Sequence, residues 1–365
     1  MHILDRHELA QTLSDIPAGQ FEQVAFALQM PYGVLPGTQT PQAERATALL
    51  QWAETAGPGI KEAQAILDEI LGRERRTEED ICPYKGLSYF DCNDEDYKYF
   101  YGREALVQTL LTKVARDNFL AIVGASGSGK SSVLRAGLLQ RLKDKGTYEI
   151  RILVPGDHPL QNLARAFIHE GSGRLDRAAQ QAKAEALISD GADGLRRLSQ
   201  NSDADRVLLV IDQVEEAFTL CHDDTERRAF FETLLGGLQA NPLQLCVILV
   251  MRSDFLGKCF EQDYGGLAKT IQNHLEPVLP MTSEELTQSI EQPARRVGIT
   301  LEPGLTETLL EDLAKSPGEL PLLQYTLTEL WKRQQDNQLR LSVYHQLGGV
   351  KGTLKRRVDE VYNSL

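Results

Sequence analysis

Four short stripes of apolar residues at helical spacing open the chain. Within each stripe the apolar positions recur three or four residues apart, the period of one buried helix face. The stripes are Leu9, Leu13 and Ile16; Phe21, Val24, Ala25 and Leu28; Ala46, Leu49, Leu50 and Ala53; and Ala63, Ile66, Leu67 and Ile70. They predict an all-helical bundle over residues 1–72, with a proline-rich loop at 31–41.

Unbroken apolar runs replace these stripes further along the chain. Such runs suit strands that are buried on both faces of a parallel sheet. They lie at 119–123, 207–212 and 245–252, and 148–155 reads as a further strand. Helical patterns lie between these segments, including 132–142, 160–169 and 175–189. This alternation predicts an α/β domain with a parallel sheet over residues 82–281. The almost wholly charged stretch before it predicts a linker at 73–81.

A helical region is predicted to follow the sheet. Thr282 to Glu285 reads as a capping box, and apolar residues continue at helical spacing from Ile290 to Leu313. We therefore predict helices over residues 282–338.

Composition narrows the class of protein. The chain has 39 basic and 52 acidic residues, a net charge of −13, which argues against a protein that mainly coats nucleic acid. Its five cysteines form no C-x-x-C pair, which favours a reduced compartment. The N-terminus lacks a signal-peptide pattern, and the longest apolar run, 245–251, is too short to span a bilayer. We expect a cytoplasmic protein without membrane or nucleic-acid partners.

The segment GASGSGKSS matches the phosphate-binding motif G-x-x-x-x-G-K-[ST] between a predicted strand and a predicted helix. Glycines allow backbone N–H groups to close around phosphate oxygens, and the helix points its positive end at the same anion. The predicted nucleotide-binding residues here are Gly124, Ala125, Ser126, Gly127, Ser128, Gly129, Lys130, Ser131 and Ser132. Lys130 would reach the β- and γ-phosphates, and Ser131 would bind Mg²⁺.

A carboxylate ends the apolar run 207–212. Asp212 would lie at the sheet edge that carries the phosphate loop, where it can hold Mg²⁺ through water, as a Walker B aspartate does. Glu215 and Glu216 follow, and either is a candidate for the base that orients the attacking water. The sequence leaves the choice between them open.

Two further segments carry candidate site residues. Arg252 ends the run 245–252, and a buried arginine there needs a partner, either the γ-phosphate or the Walker B carboxylates. We expect it to sense phosphate, with a purely structural ion pair as the alternative. The turn that contains Gly102 and Arg103 is predicted to line a pocket for the base, although the aromatic residues around it would also suit a core.

Five segments together resemble the novel STAND NTPases of bacteria, which are signal-transduction ATPases related to NACHT and apoptotic ATPases. They are YGRE at 101–104, the phosphate loop, VIDQVEE at 210–216, MRSDFLG at 251–257 and PMTSEEL at 280–286. The resemblance implies ATP and Mg²⁺ as cofactors, slow switch-type hydrolysis, a helical lid at 282–338 and the start of a winged-helix domain at 339–365. It also assigns the acidic Walker B position to Glu215.

The lid of this family contains a proline that packs on the adenine, which corresponds here to Pro321. This chain has one more residue between Gly318 and Pro321 than most relatives. A proline in the first turn of a helix is the equally available explanation.

Residues 1–72 resemble the death-domain-like effector-associated domains of bacterial signalling ATPases. The resemblance rests on LQMPY at 28–32, LPG at 35–37, RATALLQW at 45–52 and GPGI at 57–60. Nine acidic residues against three basic ones give the segment a charge of −6. The resemblance implies that it binds a small helical adaptor domain of an effector protein.

The function expected from these features is an ATP-operated regulatory switch in defence or cell-death signalling, with a possible ATP-dependent homo-oligomer. A DNA-remodelling AAA+ ATPase of the initiator type is the main alternative. A small-molecule kinase and a scaffold that does not hydrolyse ATP are the others. Because no sensor repeat follows residue 365, the chain looks truncated.

Overall fold

A computed structural model describes residues 6–28, 30–31, 34–37, 40–70, 81–92, 95–168, 174–202, 204–314, 320–350 and 352–353. The chain divides into two compact units, residues 1–81 and 82–365. In the described parts of both units, every helix is too short or too polar to cross a bilayer.

Four helices form the first unit, and the four predicted stripes lie on them. They are α1 (Arg6–Asp15), α2 (Ala18–Ala27), α3 (Gln42–Thr55) and α4 (Ile60–Ile70). Their apolar residues meet in one core, in which Leu9, Phe21 and Leu49 are fully buried. Among the described residues of this unit Arg45 is a buried charge, and it is paired with Glu22 at 2.8 Å.

Five parallel strands form the sheet of the second unit. They are β1 (Phe119–Gly124), β2 (Tyr148–Leu153), β3 (Arg206–Ile211), β4 (Leu245–Arg252) and β5 (Leu275–Val278), in the order β2-β3-β4-β1-β5. The four predicted strands correspond to β1 to β4. In the register of the sheet Gly124 pairs with Arg252 and Val278, so the carboxyl ends of three neighbouring strands lie at one edge.

Helices cover both faces of this sheet. In chain order the α-helices of the second unit are α5 (Glu104–Arg116), α6 (Lys130–Ser132), α7 (Gln140–Lys145), α8 (Pro159–Arg165), α9 (Arg174–Ile188), α10 (Ala192–Gln200), α11 (Glu216–Thr219), α12 (Asp224–Ala240), α13 (Lys258–Glu261), α14 (Leu267–Asn273), α15 (Ser283–Arg296), α16 (Leu305–Ala314), α17 (Leu320–Lys332) and α18 (Leu341–Leu347). Alternate residues of each strand enter two cores. Phe119 and Val123 face the α12 side, whereas Leu120 and Ile122 face α5. The result is a three-layered α/β architecture with helices on both faces of a parallel sheet.

The helix after the phosphate loop is not a regular α-helix. Between α6 and α7, residues Val133–Leu139 form wider π-helical turns. At Gly137, an added Cβ would stand 2.6 Å from Val107 Cγ2 of α5, so the two elements pack in close contact there. The predicted helix at 132–142 is therefore helical throughout, with a different central geometry.

The helices after the sheet begin with the predicted capping box. The Thr282 hydroxyl accepts the Glu285 N–H, and the Glu285 carboxylate accepts the Thr282 N–H. A two-stranded parallel pair, β6 (Thr300–Leu301) with β7 (Gln338–Leu339), follows.

Three predicted segments fall partly on residues that the structure does not describe. The charged linker lies outside the described residues at 73–80, and the lid motif does so at 315–319. The expected winged-helix start does so at 351 and 354–365. These assignments stay predictions.

Candidate nucleotide-binding site

The phosphate loop connects β1 to α6, as its sequence predicts. Gly127 and Gly129 have φ values of 73° and 86°, in the left-handed region that favours glycine. At Gly124 an added Cβ would stand 2.8 Å from Ser128 Oγ and 2.9 Å from the Val278 carbonyl oxygen. The glycines of the motif thus serve two purposes, the turn itself and close packing on β5.

Lys130 folds back over this loop. Its Nζ donates to the carbonyl oxygens of Gly124 and Ala125, at 3.0 and 2.8 Å. Burial lowers the pKa of Lys130, and the carboxylates of Glu215 and Asp212 oppose that shift. The ammonium group is therefore held at the loop, close to negative charge.

Asp212 follows β3 and is 2% exposed. Its Oδ1 accepts the N–H of Gln213 at 3.1 Å, and its Oδ2 lies 3.5 Å from Nη2 of Arg135. Burial raises the pKa of Asp212, and the charges of Arg135 and Lys130 lower it. The sequence did not indicate Arg135, because its contact with Asp212 joins separate elements.

The structure separates the two glutamates that the sequence left open. Gln213, which precedes them, has a left-handed backbone with φ of 53°, a conformation uncommon for residues other than glycine. Glu215 Oε2 accepts the backbone N–H of Arg252 at 3.2 Å, and its charge acts on Lys130. Glu216 instead accepts the N–H of Gly156, beyond the end of β2; burial and the charge of Glu215 raise its pKa. Glu215 therefore lies on the Lys130 side.

The predicted surroundings of Arg252 were wrong. Its side chain is 41% exposed rather than buried, and it pairs with Asp254, with Nη2 2.7 Å from Oδ2. The reason is its place at the last position of β4, where the chain leaves the sheet for the turn Ser253–Phe255. Only the backbone N–H of Arg252 reaches a Walker B carboxylate. Phosphate sensing by its side chain stays a prediction.

Gly102 and Arg103 have different surroundings from one another. At Gly102, whose φ is 85°, an added Cβ would stand 2.3 Å from the Glu285 carbonyl oxygen, so this glycine serves packing on α15. It is not among the residues that line the cavity described below, and its contact with nucleotide stays a prediction. Arg103 does line that cavity; it is 5% exposed, and its Nη2 donates to the Leu279 carbonyl oxygen at 2.8 Å.

A cavity of about 230 Å³ adjoins the phosphate loop. Its walls come from four regions: the loop and the start of its helix, the aromatic-rich stretch before α5, the segment of Met281 and Ser289 at α15, and the first two turns of α17. Residues from these regions that line it include Gly127, Ser128, Gly129, Lys130, Ser131, Ser132, Tyr89, Phe90, Tyr99, Phe100, Tyr101, Leu320, Pro321 and Gln324. Pro321 is the second residue of α17, so it lies both at a helix start and at the cavity, and both explanations of it remain.

Not every residue of the predicted loop faces this cavity. Gly124, Ala125 and Ser126 are absent from its lining, and the first two contribute carbonyl oxygens to Lys130 instead. Ser132 accepts the backbone N–H of Phe90 at 3.2 Å, which attaches the aromatic-rich stretch to the helix after the loop. The contacts of these four loop residues, Gly124, Ala125, Ser126 and Ser132, with nucleotide stay predictions.

The two predicted Mg²⁺ ligands have suitable chemistry. Ser131 offers a hydroxyl at the cavity, and Asp212 offers a carboxylate. Mg²⁺ prefers oxygen ligands and commonly combines one or two protein groups with water and substrate phosphates. The donor set therefore fits this ion.

Thiol chemistry has no support at the cysteines. All five are free, and four of them are buried. Burial raises the pKa of both Cys246 and Cys259 to about 12, so these thiols stay protonated near neutral pH.

Three solved structures illustrate what the chain is similar to. Aeropyrum pernix ORC1, in complex with DNA, is 16% identical, with 75% of this chain and 71% of that chain covered and a TM-score of 0.49. The Walker-type ATPase PABY2304 of Pyrococcus abyssi is 11% identical, with 78% and 76% covered and a TM-score of 0.48. AMPPCP-bound DnaA from Aquifex aeolicus is 15% identical, with 72% and 68% covered and a TM-score of 0.43. No curated protein matches the chain.

A family model provides the assignment. The model of novel STAND NTPase 1 matches residues 83–365, which is more than half of the chain. The match includes the phosphate loop, Asp212 and the whole cavity lining. It agrees with the resemblance seen in the sequence, and the chain belongs to the novel STAND NTPase 1 family of P-loop NTPases.

Proposed function

We propose that the chain is an ATP-binding and ATP-hydrolysing regulatory switch. The observation that supports this most directly is that the phosphate loop and the first turn of α17 line the same cavity. A nucleotide in that cavity would contact the P-loop core and the lid together. Because the contacts with the nucleotide differ before and after hydrolysis, binding and hydrolysis would change the position of α17 relative to the loop.

In this proposal the nucleotide lies with its phosphates at the start of α6. Lys130 exchanges its two carbonyl partners for phosphate oxygens, a stronger charge-assisted contact. The base takes the apolar part of the cavity, between Phe100, Met281 and Pro321. When it is bound, Mg²⁺ would be held by Ser131 and Asp212 and would neutralise part of the phosphate charge.

Glu215 is proposed as the residue that orients the attacking water and accepts its proton. Its carboxylate is fixed by the backbone N–H of Arg252 and faces the side of Lys130. Glu216 is directed toward Gly156 and would support the local structure. Arg252, which is exposed and paired with Asp254, would contribute by exchanging that partner for phosphate.

Hydrogen exchange tests the switch. We expect a non-hydrolysable ATP analogue to slow amide exchange both in α6 and in α17, because one ligand contacts both elements. The Lys130→Ala variant, measured with the same analogue, is the control and should show neither change. Protection of α6 alone would contradict the lid role of α17. ATP hydrolysis that rises when duplex DNA is added would favour the initiator-type alternative.

For the first unit we propose the adaptor role in bacterial defence or cell-death signalling. Its four helices enclose their own core, while Glu8, Glu22 and Glu44 are exposed on its surface. Phe26, four residues after Glu22 on α2, is 86% exposed. An acidic surface with an exposed aromatic side chain suits a small helical domain with a basic face. The homo-oligomer stays a prediction as well.

Expression of residues 1–72 alone tests this role. We expect a helical monomer by circular dichroism and sedimentation, because its core residues all lie within the segment. Its binding to an adaptor domain encoded beside it in the genome should weaken as salt rises, since exposed charges are screened. A spectrum without helix would contradict the fold. Salt-insensitive binding would contradict the electrostatic contact.

A further inference from the structure

Arg135 stands between two carboxylates at the end of β3. It belongs to the π-helical segment after the phosphate loop, and its side chain is 14% exposed. Its Nη2 lies 3.5 Å from Asp212 Oδ2, and its Nη1 lies 3.7 Å from Asp91 Oδ2. One guanidinium group thus joins the proposed Mg²⁺ ligand to the aromatic-rich stretch before α5.

That stretch fixes the guanidinium from the other side. The carbon of the guanidinium lies 4.8 Å from the centre of the Tyr89 ring, a distance typical of cation–π contacts. Phe90, the next residue, donates its backbone N–H to Ser132 Oγ at 3.2 Å. Arg135 Nε is buried without a hydrogen-bond partner among the described residues. The planar group is therefore held mainly by its two carboxylates and one aromatic ring.

Asp212 depends on this contact for its orientation. One carboxylate oxygen, Oδ1, accepts the Gln213 N–H, and the other, Oδ2, faces Arg135. The aspartate side chain is 3% exposed, so solvent cannot replace a missing partner easily. A buried carboxylate without a cation partner destabilises the folded protein. Without Arg135, the side chain of Asp212 would therefore rotate toward another hydrogen-bond donor.

We propose that Arg135 is a positioning residue, which holds Asp212 in the orientation that receives the Mg²⁺ of bound nucleotide. Tyr89 and Asp91 in turn hold Arg135. This inference rests on the proposed function, since it concerns the same nucleotide site. It assigns to Arg135 a role in the metal-dependent part of nucleotide binding and none in contact with the nucleotide itself.

Equilibrium binding of a fluorescent, non-hydrolysable ATP analogue, measured in Mg²⁺ and again in EDTA, tests the role. We expect wild-type protein to bind more tightly in Mg²⁺. Arg135→Met should change the affinity in EDTA by less than about twofold. The ratio of its affinity in Mg²⁺ to its affinity in EDTA should be about tenfold smaller than for wild-type protein, the size expected for one charge-assisted contact. Arg141→Met, at an exposed arginine on α7, is the matched control and should leave both affinities unchanged.

A double-mutant cycle checks that the effect passes through Asp212. In an Asp212→Asn background, Arg135→Met should change the affinity in Mg²⁺ no further, because the group it positions is already altered. Arg135→Lys keeps the charge without the planar fork, so it should lose an intermediate part of the gain. If circular dichroism shows that the Arg135→Met variant is unfolded, Arg135→Lys is used in its place in the binding measurements.

Several results would overturn the inference. An equal loss of affinity in Mg²⁺ and EDTA would mean that Arg135 only supports the fold. A larger gain from Mg²⁺ in the variant would mean that Arg135 competes with the metal. Unchanged Arg135→Met binding in both buffers would overturn this inference alone. Wild-type protein that binds the analogue in neither buffer would overturn the proposed function, and this inference with it.

Discussion

Replacing Lys130 with alanine is expected to lower the affinity for ATP about a hundredfold, because the variant loses a charged donor to phosphate in a partly enclosed site. The fold should be retained. Among the described residues, Lys130 Nζ donates hydrogen bonds to the carbonyl oxygens of Gly124 and Ala125, which water can satisfy in its absence. Fluorescence titration with an ATP analogue measures the affinity, and thermal unfolding followed by circular dichroism measures the stability.

Lys145→Ala supplies the control for that measurement. Lys145 is an exposed lysine in the last turn of α7, in the helix that follows the same loop. Its loss changes the net charge equally but should leave the affinity for ATP unchanged. If Lys130→Ala bound the analogue as tightly as wild-type protein, the assignment of the phosphate loop would be wrong.

The second large effect is expected at Glu215. Glu215→Gln should slow ATP hydrolysis by about a hundredfold or more, because a positioned carboxylate base contributes at least that much. ATP should remain bound, since glutamine keeps the size of the side chain and still accepts the Arg252 N–H. Single-turnover release of phosphate measures the rate, and nucleotide titration measures the affinity.

Glu216→Gln is the matched control, since it makes the same chemical change one residue later. Because Glu216 is directed toward the Gly156 N–H, we expect hydrolysis to fall less than about threefold, within the range of an indirect effect. Comparable slowing in both variants would contradict the division of roles between the two glutamates. Loss of ATP binding in Glu215→Gln would point to a structural carboxylate instead.

The parts of the fold that the sequence predicted are those that local chemistry determines. Strands β1, β3 and β4 are buried on both faces and are almost wholly apolar, so their runs are visible in the sequence. Strand β2 lies at the edge of the sheet and tolerates Glu149 and Arg151. The phosphate loop needs particular residues at fixed spacing, and Asp212 follows its strand directly. The capping box of α15 is equally local.

The parts that escaped prediction depend on contacts between distant segments. Strand β5 contains Glu276 and Pro277, which are acceptable because it is an edge strand and because Lys113 pairs with Glu276 at 2.6 Å. Helix α10 has few apolar residues, and its burial comes through Leu195 against α12.

In the candidate site, too, the features that depend on distant segments could not be predicted. Nothing in the sequence near Gly102 indicates the Glu285 carbonyl oxygen that it packs against. The different surroundings of Glu215 and Glu216 likewise depend on the backbone of Arg252, at the end of β4, and of Gly156, beyond the end of β2. The phosphate loop and Asp212 could therefore be predicted from the sequence, whereas the residues that contact them could not.

The π-helical turns of Val133–Leu139 make chain length itself a constraint on this site. A π turn holds about one residue more than an α turn, so it resembles an insertion in the helix. Deleting one residue there would allow regular α-helical hydrogen bonds and would leave the helix beyond it facing nearly the same way, because the wide turns have already absorbed that residue. Tightening the turns to α-helical geometry without a deletion would instead rotate that helix by about 100° relative to the loop. Leu142, now buried, would then turn toward solvent, so at this chain length the wide turns are what keeps it in the core.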